Sequence, residues 1–161
     1  MRHILMLVVT LGALIVVGPS HSFAQTDKSF RIASGAFVKQ GYAALEAEKN
    51  WDALDLFEKA VVANPRNLSA YVGLGKAHEA LSSISGGLKY YGIALELDPR
   101  HLGAWEAKVL AHLVISELAQ AEEALSRILA VCADEPCLEG RRARAAIDAY
   151  QAKIVASAKK P

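Results

Sequence analysis

Two cysteines occur in this 161-residue chain, Cys132 and Cys137, in the stretch VCADEPC with Pro136 between them. A pair that tight can be a redox couple, half of a metal site, or a disulfide staple. Redox couples favour C-x-x-C with a lowered thiol pKa, and this spacing is C-x4-C. A structural zinc site takes four ligands, and no second ligand pair is spaced to complete one. His78 and His112 stand 34 residues apart, a spacing that could pair two imidazoles for metal or pH sensing if the chain repeats with that period. The bland alternative is two partly buried rings that simply pack. No Gly-rich phosphate loop, G-x-S-x-G or H-E-x-x-H occurs. Carboxylates such as Glu46, Glu48, Asp52 and Asp55 read as solvent faces of helices. The expectation is a non-enzyme with no catalytic residue, no metal and no cofactor.

What the cysteines do depends on the compartment, and the N-terminus speaks to that. Arg2 and His3 precede Ile4–Val17, about fourteen residues of nearly unbroken apolar character, followed by the breaker Gly18-Pro19. Small residues at Ser22 and Ala24 suit a cut after Ala24. This is the layout of a cleaved export signal, residues 1–24. A retained anchor is the rival, but the run is shorter than the ~20 residues a spanning helix needs. The expected location is therefore across the inner membrane, in the periplasm, with no membrane span after cleavage. Removing the signal takes away Arg2 and leaves 17 Lys+Arg against 17 Asp+Glu. A balanced chain lacks the concentrated basic surface of a nucleic-acid binder.

The remaining chain repeats. Phe37, Tyr71 and Trp105 are spaced by 34, as are Gly41 and Gly75, Phe57 and Tyr91, Ala60 and Ala94, and Pro65 and Pro99. VVANPRNLSAY and ALELDPRHLGAW carry the same pattern twice. Apolar residues recur at three and four: Phe37, Ala44, Leu45, then Trp51, Leu54, Phe57, Val61. That is helical periodicity. Pro65 and Pro99 disfavour helix at Asn64 and Asp98, and Asn67 can cap the helix that follows.

A 34-residue period with an aromatic, a Gly four on, then small residue, aromatic, Ala and Pro resembles the tetratricopeptide repeat. Unit 34–67 supplies Phe37, Gly41, Ala53, Phe57, Ala60 and Pro65. Unit 68–101 supplies Tyr71, Leu74, Gly75, Gly87, Tyr91, Ala94 and Pro99. Unit 102–135 keeps Trp105, Ala121 and Leu125, but has Val109 for the Gly, Ile128 for the Ala and Ala133 for the Pro. The resemblance implies an all-α, right-handed solenoid of three helix–turn–helix units. A short linker, 25–33, would precede them. A capping helix over 136–157 would follow, with Ala143, Ile147, Tyr150 and Ile154 on its apolar stripe and Arg141, Arg142, Arg144, Asp148 and Lys153 around the rest. Residues 158–161 would be a tail. Cys132 then ends the last repeat helix, and Pro136 suits the first turn of the cap. In an oxidising compartment the pair is expected as a disulfide pinning the cap, with thiol exchange as the alternative. Asn67-Leu68-Ser69 fits a glycosylation sequon, relevant only in a eukaryotic secretory route.

In that family the first helices of successive units line a concave groove for a peptide. Mapped by repeat position, the groove here is Val38, Tyr42 and Leu45, then Val72, Lys76 and Glu79, then Glu106, Leu110 and Leu113. The family's Lys/Asn/Arg clamp for a C-terminal carboxylate is absent: Val38, Tyr42, Gly73, Gly103 and Ala107 stand at its positions. A largely apolar groove with one Lys and two Glu suits an amphipathic segment of another envelope protein, or a second copy in a homodimer. The functional expectation is an envelope scaffold or adaptor. A thiol-linked accessory factor in periplasmic protein or cytochrome maturation, using Cys132 and Cys137, is the alternative.

Overall fold

A computed structural model describes residues 20–133 and 137–158, with side chains from residue 27 onward. Seven helices follow in order: α1 Ser20–Glu46, α2 Asn50–Ala63, α3 Leu68–Ala80, α4 Ile84–Leu97, α5 Leu102–Val114, α6 Leu118–Cys132 and α7 Leu138–Ala158. They form three hairpins and a terminal helix. Odd-numbered helices touch one another across hairpins, α1 to α3 to α5 to α7, and even-numbered ones do not. The odd helices therefore line one side of a solenoid. Its core is three clusters placed where neighbouring hairpins, or the last hairpin and α7, meet.

The turns repeat with the sequence. Within each hairpin a non-glycine residue takes positive φ: Glu48 at 58°, Ser82 at 64° and Ser116 at 64°. The chain then returns an N–H to the helix it left, Lys49 to Ala44 O at 2.9 Å, Ser83 to His78 O at 2.8 Å and Glu117 to His112 O at 2.8 Å. These 6→1 bonds close the helix ends as Schellman turns. Between hairpins, Asn64 and Asp98 leave the helix in extended geometry, as the following prolines require. Asn67 Oδ1 accepts from Ala70 N at 3.3 Å and His101 Nδ1 from Ala104 N at 3.0 Å. His101 is thus a helix N-cap. The Tyr71 hydroxyl and Trp105 indole each reach six residues back, to Pro65 O at 3.1 Å and Pro99 O at 2.9 Å.

Ser34, which the sequence pattern does not single out, is wholly buried. Its hydroxyl donates to Ala60 O at 2.7 Å and accepts from Asn67 Nδ2 at 2.7 Å, tying α1, α2 and the cap of α3 together. Asn67 is therefore engaged on both polar atoms, which leaves its amide unsuited to carry a glycan.

Two boundaries differ from expectation. The segment 25–33 is no separate linker, because α1 runs through it from Ser20. No Pro or Gly interrupts residues 20–34, and Asp27 and Arg31 pair at 2.9 Å one turn apart, which supports helix. At the other end α7 runs to Ala158. The apolar run 4–17, residues 134–136 and residues 159–161 lie outside the described residues. No described helix is long and apolar enough to cross a membrane.

Candidate functional site

The side lined by the odd-numbered helices, which the repeat resemblance makes the concave one, carries one stripe from each. Tyr42 of α1 is half-buried, held edge-to-face on Phe57 with ring centroids 5.1 Å apart. Lys76 of α3, exposed, places its ammonium 5.5 Å from the Tyr42 ring centroid. Leu110 of α5 is 45 % exposed and Val114, one turn on, 67 %. Glu106 is mostly covered and faces Arg142 of α7 at 3.7 Å. Val38, Leu45 and Glu79 are half-buried.

Two residues expected to line this face do not. Val72 packs with Tyr91, Ala104, Ala107 and Ala111, because α5 crosses over it. Leu113 packs with Ala143 and Ile147 beneath α7. Both are core. Val114 and Arg142 take their place in the open surface. The signal for Val114 was one register step from Leu113, and that for Arg142 was the cap helix following α5 along the same side. Two of the clamp positions are closed for a packing reason: a Cβ at Gly73 would lie 2.2 Å from the Phe57 ring, and Ala107 is buried. No cation can stand at either.

Beneath the open face lies an acid–phenol pair. Tyr91 is wholly buried. Its hydroxyl and Glu79 Oε1 are both sealed from solvent and interact with each other. Burial pushes the Glu79 carboxyl above the usual range, with Tyr91 and Lys76 opposing. Burial, then the Glu79 charge, pushes the Tyr91 phenol far above its ordinary value. Burial raises the Tyr42 phenol too. Space for the pair comes from two glycines: a Cβ at Gly75 would strike the Tyr91 ring at 2.2 Å, and one at Gly87 would strike Glu79 Cγ at 2.9 Å.

The remaining candidates separate. His78 stacks on Tyr90, centroids 5.1 Å apart and planes 23° apart. His112 instead meets Glu117, Nδ1 to Oε2 at 2.8 Å. Each ring is packed within its own hairpin. Among the described residues no group of three His, Cys, Asp or Glu side chains is placed to hold a metal ion. Cys132 and Cys137 are placed as a disulfide, Cα atoms 5.8 Å apart. The Cys137 sulfur accepts Gly140 N–H at 3.3 Å in the first turn of α7. An apolar recess that the sequence reading missed, about 480 Å³, opens between α1 and α2 along Phe30, Ala33, Phe37 and Val62.

No family model matches the sequence. One curated relative is Superkiller protein 3 of Saccharomyces cerevisiae, 27% identical over 95 residues; the match covers 59% of this chain and only 7% of that protein. Solved structures share the fold at low identity. The first TPR of Spaghetti (RPAP3) bound to the HSP90 peptide SRMEEVD superposes with a TM-score of 0.66 at 16% identity, covering 78% of this chain and 95% of that one. The Sgt2 TPR domain from Aspergillus fumigatus gives 0.67 at 20%, covering 80% and 85%. The Yersinia enterocolitica type III secretion chaperone SycD with a peptide of the translocator YopD gives 0.64 at 19%, covering 74% and 92%.

Proposed function

Because this chain folds as three tetratricopeptide-repeat hairpins with a terminal helix packed on the third, we propose that it is a non-enzymatic binding scaffold of the bacterial envelope. It takes a segment of a partner protein on the face lined by α1, α3, α5 and α7. The observation that carries this reading is the open stripe itself. Half-buried Tyr42 and exposed Leu110 and Val114 present apolar surface along this side, and Lys76, Glu106 and Arg142 set charges beside them. Apolar anchors with flanking charge suit an amphipathic segment. The like-folded RPAP3 domain and SycD, each solved with a bound peptide, support a peptide-binding role for this fold. Closure of Gly73 and Ala107 argues against a ligand held by its free carboxylate. The apolar run at 4–17 supports export, with the mature chain starting at Gln25. In an oxidising compartment the disulfide acts as a staple between α6 and α7.

The test is capture from envelope extract on immobilised mature chain, compared with Leu110→Glu and with Cys132→Ser/Cys137→Ser. A partner retained by wild type and by the cysteine variant, and lost with Leu110→Glu, supports the scaffold. A partner lost only with the folded cysteine variant would move the function to thiol exchange. Capture that Leu110→Glu leaves unchanged would remove the concave face from the account.

A further inference from the structure

The second and third hairpins carry equivalent positions 34 residues apart, and one cluster differs between them in a telling way. In the second hairpin, Tyr90 of α4 stacks on His78 and packs against the core cluster that includes Leu74. The Lys89 ammonium stands 5.7 Å from the Tyr90 ring centroid. The equivalents in the third hairpin are Ala124 for Tyr90, His112 for His78, Lys108 for Leu74 and Glu123 for Lys89. Where an aromatic ring sits in one hairpin, a methyl group sits in the other. The structure leaves a recess there of about 240 Å³, lined by Trp105, Lys108, His112, Gln120, Glu123 and Ala124.

This recess lies on a stripe of α5 turned away from Glu106 and Leu110, so it is separate from the concave face. It is too small for a typical ligand cleft of roughly 300 Å³ or more, and of a size for one side chain. Its walls are already arranged. Ala124 is buried and forms the floor. Trp105 is anchored through its indole to Pro99 O, and His112 is held at Nδ1 by Glu117. His112 therefore keeps a fixed orientation without the aromatic stack that His78 has. Polar groups at the rim, Lys108, Gln120 and Glu123, can hydrogen-bond a hydroxyl.

We propose that this recess binds a tyrosine side chain of a partner protein, seated as Tyr90 is seated against His78 in the second hairpin. The ring would stack on His112 beside Trp105, and its hydroxyl would meet the polar rim. The occupant's chemistry follows from the repeat: at the equivalent place one hairpin earlier a tyrosine of the chain itself stacks on the equivalent histidine. Lys108, Gln120 and Glu123, in place of Leu74, Gly86 and Lys89, give this recess a more polar rim suited to the hydroxyl.

The experiment is a titration of the ¹⁵N-labelled mature chain with N-acetyl-L-tyrosinamide, with N-acetyl-L-leucinamide as control. A lone side chain of this size binds in the millimolar range. The expected result is saturable shifts at the Trp105 indole N–H and at His112, Gln120 and Ala124, with none from the leucine amide. Ala124→Tyr fills the recess from within and should abolish them. Gln120→Trp, at an exposed rim position, should weaken them severalfold even if Ala124→Tyr disturbs packing. Absence of saturation, equal response to both amides, or unchanged shifts in Gln120→Trp would overturn the proposal. Shifts at the same residues on raising protein concentration without probe would do so too, by assigning the occupant to a second copy.

Discussion

The second and third hairpins share a backbone plan and reach it with different side chains. In the second, Gly75 on α3 leaves room for the Tyr91 ring on α4, and Gly87 leaves room for Glu79. In the third, Val109 stands where Gly75 does and Leu125 where Tyr91 does, and both are buried. Bulk has moved from α6 to α5 at this contact, so Val109 and Leu125 together supply the volume that Tyr91 supplies alone beside Gly75. Close packing constrains the volume at a contact, and either partner can supply it. The third hairpin also replaces the repeat's Ala with Ile128, wholly buried and in the cluster that includes Ala143 and Ile147 of α7. Its departures from the pattern belong to the join with the terminal helix and the disulfide beside it.

Breaking that compensation should have the largest effect. Gly75→Val would drive a branched side chain into Tyr91 and cost about 3 kcal/mol of stability, read by chemical denaturation. Tyr91→Leu on top of it recreates the Val109–Leu125 arrangement and should restore most of the loss, a non-additive cycle. If the double variant is no better than the sum of the singles, the compensation account is wrong.

Next in size is the disulfide. Reduction, or Cys132→Ser/Cys137→Ser, opens a short ring worth roughly 2 kcal/mol in the loop-closure model. Amide exchange should rise in α7 and the end of α6 while α3 and α4 stay protected. Uniform loosening would show that the staple is not local.

A smaller effect sharpens the contrast between Glu79 and its equivalent Leu113. Burial raises the Glu79 carboxyl, so the fold favours its neutral form. That stabilisation is complete below the ordinary carboxylate range and is lost as pH rises through the raised value. Glu79→Gln should therefore be more stable than wild type at neutral pH, with the advantage shrinking on acidification. A gap that grows toward acid pH would contradict the assignment.

The smallest effects lie where the hairpins agree. Ser82 and Ser116 both hold positive φ near 64°. Replacing either with Gly should stabilise by up to about 1 kcal/mol, equally in both hairpins.

The fold was legible because its determinants are periodic. Pro65 and Pro99, the three aromatics and the two glycines recur at one spacing, and turn geometry follows from local chemistry. The open face was legible only in part. Repeat position places Val72 and Leu113 on the inner side, but exposure depends on which neighbouring helix crosses above, and periodicity says nothing of that. Ser34 escaped notice because the equivalent positions in the other units are Leu68 and Leu102, so the bridge to Asn67 has no repeat signature. The recess at Ala124 was invisible for a related reason: a small residue in a helix reads as good packing until its surroundings are known.

The central claim is that partners dock on the concave face. The direct measurement is site-specific photo-crosslinking in intact cells, with benzoylphenylalanine in place of Leu110 on the open stripe and, as control, in place of the exposed Glu122 on α6. A discrete crosslinked protein from position 110, absent from position 122, is the predicted result. No adduct at 110, or the same adduct from both positions, would contradict it.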